Sequence, residues 1–172
     1  HAPLMGANSP KSGKTGARAT KPVAKAAGAA KLKLLPDLTP DYRQRLTRLK
    51  AALTTRNIGH VLITNPLDVG YFTGFLGGDS YLVVGEGEPI LISDFRYQEE
   101  LVPVAALAKI HIRKGAILGA VGDVVSQSSI KELGVQAESV TLAQASQLSE
   151  ALGEGKSIRP LSRLVQPFRL IT

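Results

Sequence analysis

Cysteine and tryptophan are absent from this 172-residue chain, and Met5 is its single methionine. Without cysteine there are no disulfides, no thiolate zinc sites and no cysteine nucleophile, while the compartment stays open. Histidine is nearly as scarce, with three in all. No HxxxH, HExxH or Asp/Glu cluster surrounds His60 or His111, so both read as partly buried strand residues, not ligands. No Gly-x-Ser-x-Gly elbow occurs. Glu86, Glu88, Glu99 and Glu100 sit in polar runs that suit solvent, not paired-carboxylate catalysis. No apolar run approaches ~18 residues, which excludes a membrane-spanning helix. What remains, 44% hydrophobic and 20% charged, is the composition of one globular domain without a catalytic constellation.

The net charge of +7 is unevenly spread. Residues 1–40 hold six Lys, one Arg and one Asp, whereas residues 41–172 hold fourteen basic and thirteen acidic side chains. Every aromatic residue lies at Tyr42 or later. A basic, Ala-rich stretch of this kind has too little apolar bulk to offset its ordering entropy. Residues 1–38 are therefore expected to be a disordered Lys/Ala-rich tail with at most weak, salt-sensitive affinity for polyanions. There is no apolar h-region for a secretory signal, and Lys and Pro stand where a transit peptide favours Arg and Ser. Gly13, Lys14 and Thr15 match the end of a phosphate-binding GxxxxGK[ST] loop. Asn8 occupies the first glycine position and no strand precedes it, so the context such a loop needs is missing. A chain opening on His1 reads as a fragment or a processed product.

Structure is expected from Pro36 onward. Thr39 is a candidate N-cap, Pro40 suits the first turn, and Tyr42, Leu46, Leu49 and Leu53 trace one helical face ending near Asn57 or Gly59. His60 to Thr64 is a continuous apolar run of strand length, as in a strand covered on both faces. A short helical turn through Asp68 to Phe72 follows. Gly74, Gly77 and Gly78 then make a loop. Ser80–Val84 and Pro89–Ser93 read as a hairpin about Gly85-Glu86-Gly87-Glu88. A short helix is expected from Arg96 to Leu101, closed before Pro103. Beyond it come a strand at Lys109–Arg113, a helix from Ile117 with Gly134 as its C-cap, and a strand at Val135–Glu138. A helix over Thr141–Leu152, capped by Ser139 or Thr141, precedes a last strand at Ile158–Leu161 and a helical turn near Ser162. The alternation predicts an α/β fold with a mixed β-sheet flanked by helices.

Three segments together resemble the N-terminal domain of the creatinase, prolidase and aminopeptidase P family. They are RLTRLKAALTTRNIGHVLITNPLDVGYFTGF at 45–75, YLVVGEGEPILISDFRYQEE at 81–100, and IRPLSRLVQPFRLIT at 158–172. The pairing of YFTGF with Asp94-Phe95-Arg96-Tyr97 is specific, and each motif alone is less so. The resemblance implies a creatinase N-terminal-like domain over residues 39–161 and, over 162–172, the start of a linker to a catalytic domain. That domain would have the pita-bread fold and bind two divalent metal ions (Mn, Co or Zn) through two Asp, one His and two Glu. A metal pair would polarise the scissile carbonyl and activate a bridging water. None of those ligands maps onto this chain, so it is expected to be inactive alone, with no catalytic or metal-binding residue and no cofactor of its own.

The resemblance further implies cytoplasmic Xaa-Pro aminopeptidase or dipeptidase chemistry on proline-containing peptides, without membrane association. It implies a homo-dimer or higher oligomer in which N-terminal loops reach the neighbouring active site. The matching loops are Leu76–Ser80 and the DFRY turn, and the candidate substrate-binding residues on them and on the preceding YFTGF motif are Arg96, Tyr97, Tyr71 and Asp79. The structural reading stands beside it: Arg96 pairing with Asp94 or capping a helix, and the tyrosines at the edge of the core. The alternative function is a free-standing α/β ligand- or partner-binding module without catalysis. Polyanion binding driven by the tail is a third class.

Overall fold

In the computed structural model, residues 38–169 are described. The expected disordered tail, Leu38 apart, and the last three residues of the expected linker lie outside them. Six strands form one mixed sheet in the order β4-β3-β2-β1-β5-β6, with helices on both faces. β1 (His60–Ile63) lies at its middle, antiparallel to β2 (Tyr81–Gly85) and parallel to β5 (Glu132–Gln136). β3 (Ile90–Ser93) completes the hairpin with β2. β4 (Lys109–Ile112) runs parallel to β3, and β6 (Ser157–Leu161) parallel to β5.

The unbroken apolar run of β1 follows from this central position. Val61 and Ile63 enter one core with α1 (Thr39–Thr55) and α2 (Pro66–Thr73), alongside Leu82, Val84 and Leu91. Leu62 enters the opposite core with Val83, Ile92 and Val135, beneath α3 (Ile117–Ser126) and α4 (Leu142–Leu152). Successive side chains point to opposite faces, so a strand covered twice has no polar position to alternate with. Burying one such aliphatic side chain contributes roughly 1.5–3 kcal/mol. In α1, Leu46, Leu49 and Leu53 are buried as their spacing predicts.

Several local readings are corrected. Leu38, not Thr39, is the N-cap of α1, and it makes no side-chain capping bond. The helix expected over Arg96–Leu101 is a 3₁₀ turn at Phe95–Tyr97, and a second 3₁₀ turn, Pro103–Ala106, begins at the proline meant to close it. The Tyr97 N–H donates to Asp94 O and the Gln98 N–H to Phe95 O, the i→i+3 bonds of the tighter turn. Gly134 caps nothing: it lies inside β5, where a Cβ would come within 2.8 Å of Leu161 and 2.9 Å of Ile58. α3 instead stops at Ser126 with Gln127 as its C-cap. The capping of α4 falls to Thr141, whose hydroxyl accepts from the N–H of Gln144 while the Gln144 side chain accepts from the N–H of Thr141. The turn expected near Ser162 is displaced to α5 (Gln166–Arg169), with Pro167 in the first turn, where no N–H is required of it. The last strand, expected at Ile158–Leu161, is β6, which begins one residue earlier at Ser157.

Candidate functional site

The loop leaving α2 is fixed by its own sequence. Gly74 ends the helix in the left-handed region at φ 76°, and its N–H donates to the carbonyl of Gly70. The Thr73 hydroxyl donates to Val69 O at 2.6 Å and accepts from the N–H of Phe75 at 3.1 Å, turning the chain inward. Phe75 is thereby buried, edge-on to Tyr97 with ring centroids 5.4 Å apart. Further along, the buried hydroxyls of Ser80 and Ser93 share a hydrogen bond at 2.8 Å, and the Ser80 hydroxyl also lies 3.1 Å from Gly78 O.

The DFRY turn meets this loop through a carboxylate. Asp94 Oδ1 accepts from the Arg96 N–H at 2.9 Å and from Arg96 Nε at 3.0 Å. Its other oxygen faces Arg113 at 3.2 Å. The parallel register that sets Ser93 beside Ile112 is what brings Arg113 next to Asp94. The Arg96 N–H bond, with the two guanidinium groups, holds the Asp94 carboxyl below the usual carboxylate value, and partial burial opposes the shift. The same pairing raises Arg96. Arg96 then reaches Asp79 at 3.5 Å while its side chain stays 54% exposed over the Tyr97 ring. Asp79 itself sits at φ 52°, a conformation a non-glycine residue adopts at some cost. Beside these charges an open cleft of about 340 Å³ is lined by Gly74, Phe75, Leu76, Gly77, Tyr97 and Glu100, with Leu76 80% exposed.

Of the four residues singled out in the sequence, Asp79, Arg96 and Tyr97 thus come together. Tyr71 is engaged with α1 and α5: the Arg45 guanidinium lies over its ring at 4.3 Å, and its hydroxyl donates to Phe168 O at 3.3 Å. Arg113 was not foreseen. Its place depends on the pairing of β3 with β4, which no local motif announces. Among the described residues no group of three His, Cys, Asp or Glu side chains could hold a metal ion, so the donor set present does not fit a divalent pair. No helix among them is long and apolar enough to cross a membrane.

The fold has counterparts. The family described as the Creatinase/Prolidase N-terminal domain matches residues 45–171. The chain belongs to that family. It is similar to the uncharacterized peptidase YqhT of Bacillus subtilis (strain 168), with 28% identity over 127 residues, 74% of this chain and 36% of the relative. It is also similar to an Xaa-Pro dipeptidase from Bacillus anthracis, at 27% identity and a TM-score of 0.71, covering 76% of this chain and 36% of that one. The N-terminal domain of the cytoplasmic peptidase PepQ from Mycobacterium tuberculosis H37Rv shares the fold at a TM-score of 0.68 and 24% identity. There the match covers 73% of this chain and 98% of that domain. The chain therefore spans just over a third of the length of the two Bacillus proteins.

Proposed function

We propose that this creatinase/prolidase N-terminal domain is the non-catalytic front part of an Xaa-Pro aminopeptidase- or dipeptidase-like metallopeptidase. A pita-bread domain with two divalent metal ions would follow it and act on proline-containing peptides. The domain would support assembly into a dimer or higher oligomer. Its 76–80 loop and DFRY turn would shape the entrance to a neighbouring subunit's active site. The similarity to the Bacillus anthracis Xaa-Pro dipeptidase supports the peptidase class.

One observation carries the role of the loops: Arg96, half-exposed, is anchored by Asp94 and Asp79 beside an apolar cleft. A guanidinium pre-positioned in this way offers its remaining donors to a peptide carboxylate or backbone carbonyl at little ordering cost. The exposed Leu76 beside the cleft gives an apolar side chain a surface to lie on. The test is Arg96→Ala in the full-length protein. KM for an Xaa-Pro peptide should rise by about tenfold or more, the size of one lost hydrogen bond to a charged group. Unchanged peptide kinetics with an unchanged oligomeric state would remove the role from the turn.

A further inference from the structure

The last described element is fastened to α2. Leu164 and Val165, which lead into α5, are each 3% exposed. The Phe168 ring stands edge-on to Phe72 at 6.3 Å, and its carbonyl accepts from the Tyr71 hydroxyl. Arg169 Nε faces Asp68 Oδ1 at 3.4 Å. Three α2 residues, Asp68, Tyr71 and Phe72, thus hold two consecutive residues of α5.

Asp68 gives this contact its force. It is 2% exposed, a rare depth for a carboxylate. Oδ2 accepts from Gln136 Nε2 at 2.6 Å. The first-turn position in α2 adds the favourable end of a helix dipole. Oδ1 is buried and receives no hydrogen bond; the cation it faces among the described residues is Arg169. A charge at this depth is tolerated when it is compensated, and losing its counter-ion is far more costly than removing both partners together. Arg169 is itself 42% exposed, so it can leave the site while Asp68 cannot.

We propose that Asp68 is a charge lock on α5: the helix stays seated on α2 because lifting it strands a buried carboxylate. Arg169, at the end of α5, is thereby held at a fixed point alongside α2. The inference rests on contacts within this chain and does not require the peptidase reading.

The test is amide hydrogen exchange across residues 164–169 in this protein and in Arg169→Gln, Asp68→Asn and the double variant. Asn at 68 keeps an acceptor for Gln136 while removing the charge. Arg169→Gln alone should speed exchange there by about tenfold or more, and by less than about twofold once Asp68 is Asn. An equal effect in both backgrounds, or no effect in either, would overturn the lock. Should Asp68→Asn not fold, Arg169→Lys carries the comparison. A lysine keeps the charge and should keep protection within about threefold of the parent, whereas losses equal to those of Arg169→Gln would overturn the proposal.

Discussion

Gln136 and Asp68 are joined by a buried hydrogen bond of 2.6 Å, although 68 residues separate them. The other end of the same amide accepts from the backbone N–H of Thr64 at 2.9 Å and of Asn65 at 3.1 Å. Gln136 closes β5, and Thr64 and Asn65 lead from β1 into α2, so one side chain ties the C-terminal ends of two parallel strands to the helix that follows. Gln136→Leu keeps the bulk, removes the acceptor from two N–H groups and removes the donor from Asp68. The expected loss is about 2–4 kcal/mol in urea unfolding, since buried polar groups left unmade cost more than the bond contributed. A loss below about 0.5 kcal/mol would mean that water replaces the amide.

The Asp94 carboxyl lies below its ordinary value of 3.8, chiefly through the N–H of Arg96 and then through the Arg96 and Arg113 guanidinium groups. A group whose value is depressed by folding contributes stability above the ordinary value and loses it as pH falls through the folded one. Asp94→Asn should therefore lower stability at neutral pH and flatten the fall in stability below pH 3.8. Urea midpoints of parent and variant, measured from pH 6 down to about pH 2.5, should converge at the acid end. Parallel curves would show that Asp94 titrates alike in the folded and unfolded chain.

How much of this was legible beforehand depended on range. α1 announced itself through Leu46, Leu49 and Leu53 because a helix on a sheet buries one stripe. β1 did so through its unbroken apolar run, and the hairpin through Gly85 and Gly87. Glycine misled at position 134: it stands there to let Ile58 and Leu161 close over the strand, a reason of packing that has no local signature. The Asp79–Arg96–Tyr97 cluster could be suspected from its motifs. Arg113, joined to that cluster through Asp94, could not, because its position follows from strand register. In the sequence Asp68 only opens a short helical turn, and its burial became visible once Gln136 and Arg169 were set beside it.

Packing at Gly122 offers a sharper check on the second core. A Cβ there would run into the backbone carbonyl of Ala151, so α3 and α4 touch backbone to side-chain-free backbone at this point. Alanine improves helix propensity by about 1 kcal/mol at an unconstrained site. Here the neighbour is backbone and cannot rotate away, and overpacking of this kind costs roughly 1–3 kcal/mol. Gly122→Ala is expected to be net destabilising, with a lowered urea midpoint. Gly119→Ala on the same helix, where a Cβ meets nothing within 4 Å, should be neutral or stabilising. A reversed order of the two variants would show that the helices separate freely.

His60 supplies a dependence in a different pH window from that of Asp94. Its imidazole packs on Gly85 of the facing strand, where any Cβ would collide with the ring. Burial lowers its pKa from the ordinary 6.5, against a hydrogen bond to the Glu86 backbone and the Glu86 charge, both of which raise it. The fold thus favours the neutral ring, while the unfolded chain takes up a proton at the ordinary value. Stability is full above that value and declines as pH falls from 6.5 toward the lower folded one, the opposite of a histidine held by a salt bridge. In His60→Gln the side chain is neutral throughout, so the slope of stability between pH 7 and pH 5 should be smaller than in the parent. The ring is only partly buried, and the difference will be modest. A steeper slope in the variant would mean that Glu86, not burial, governs the imidazole.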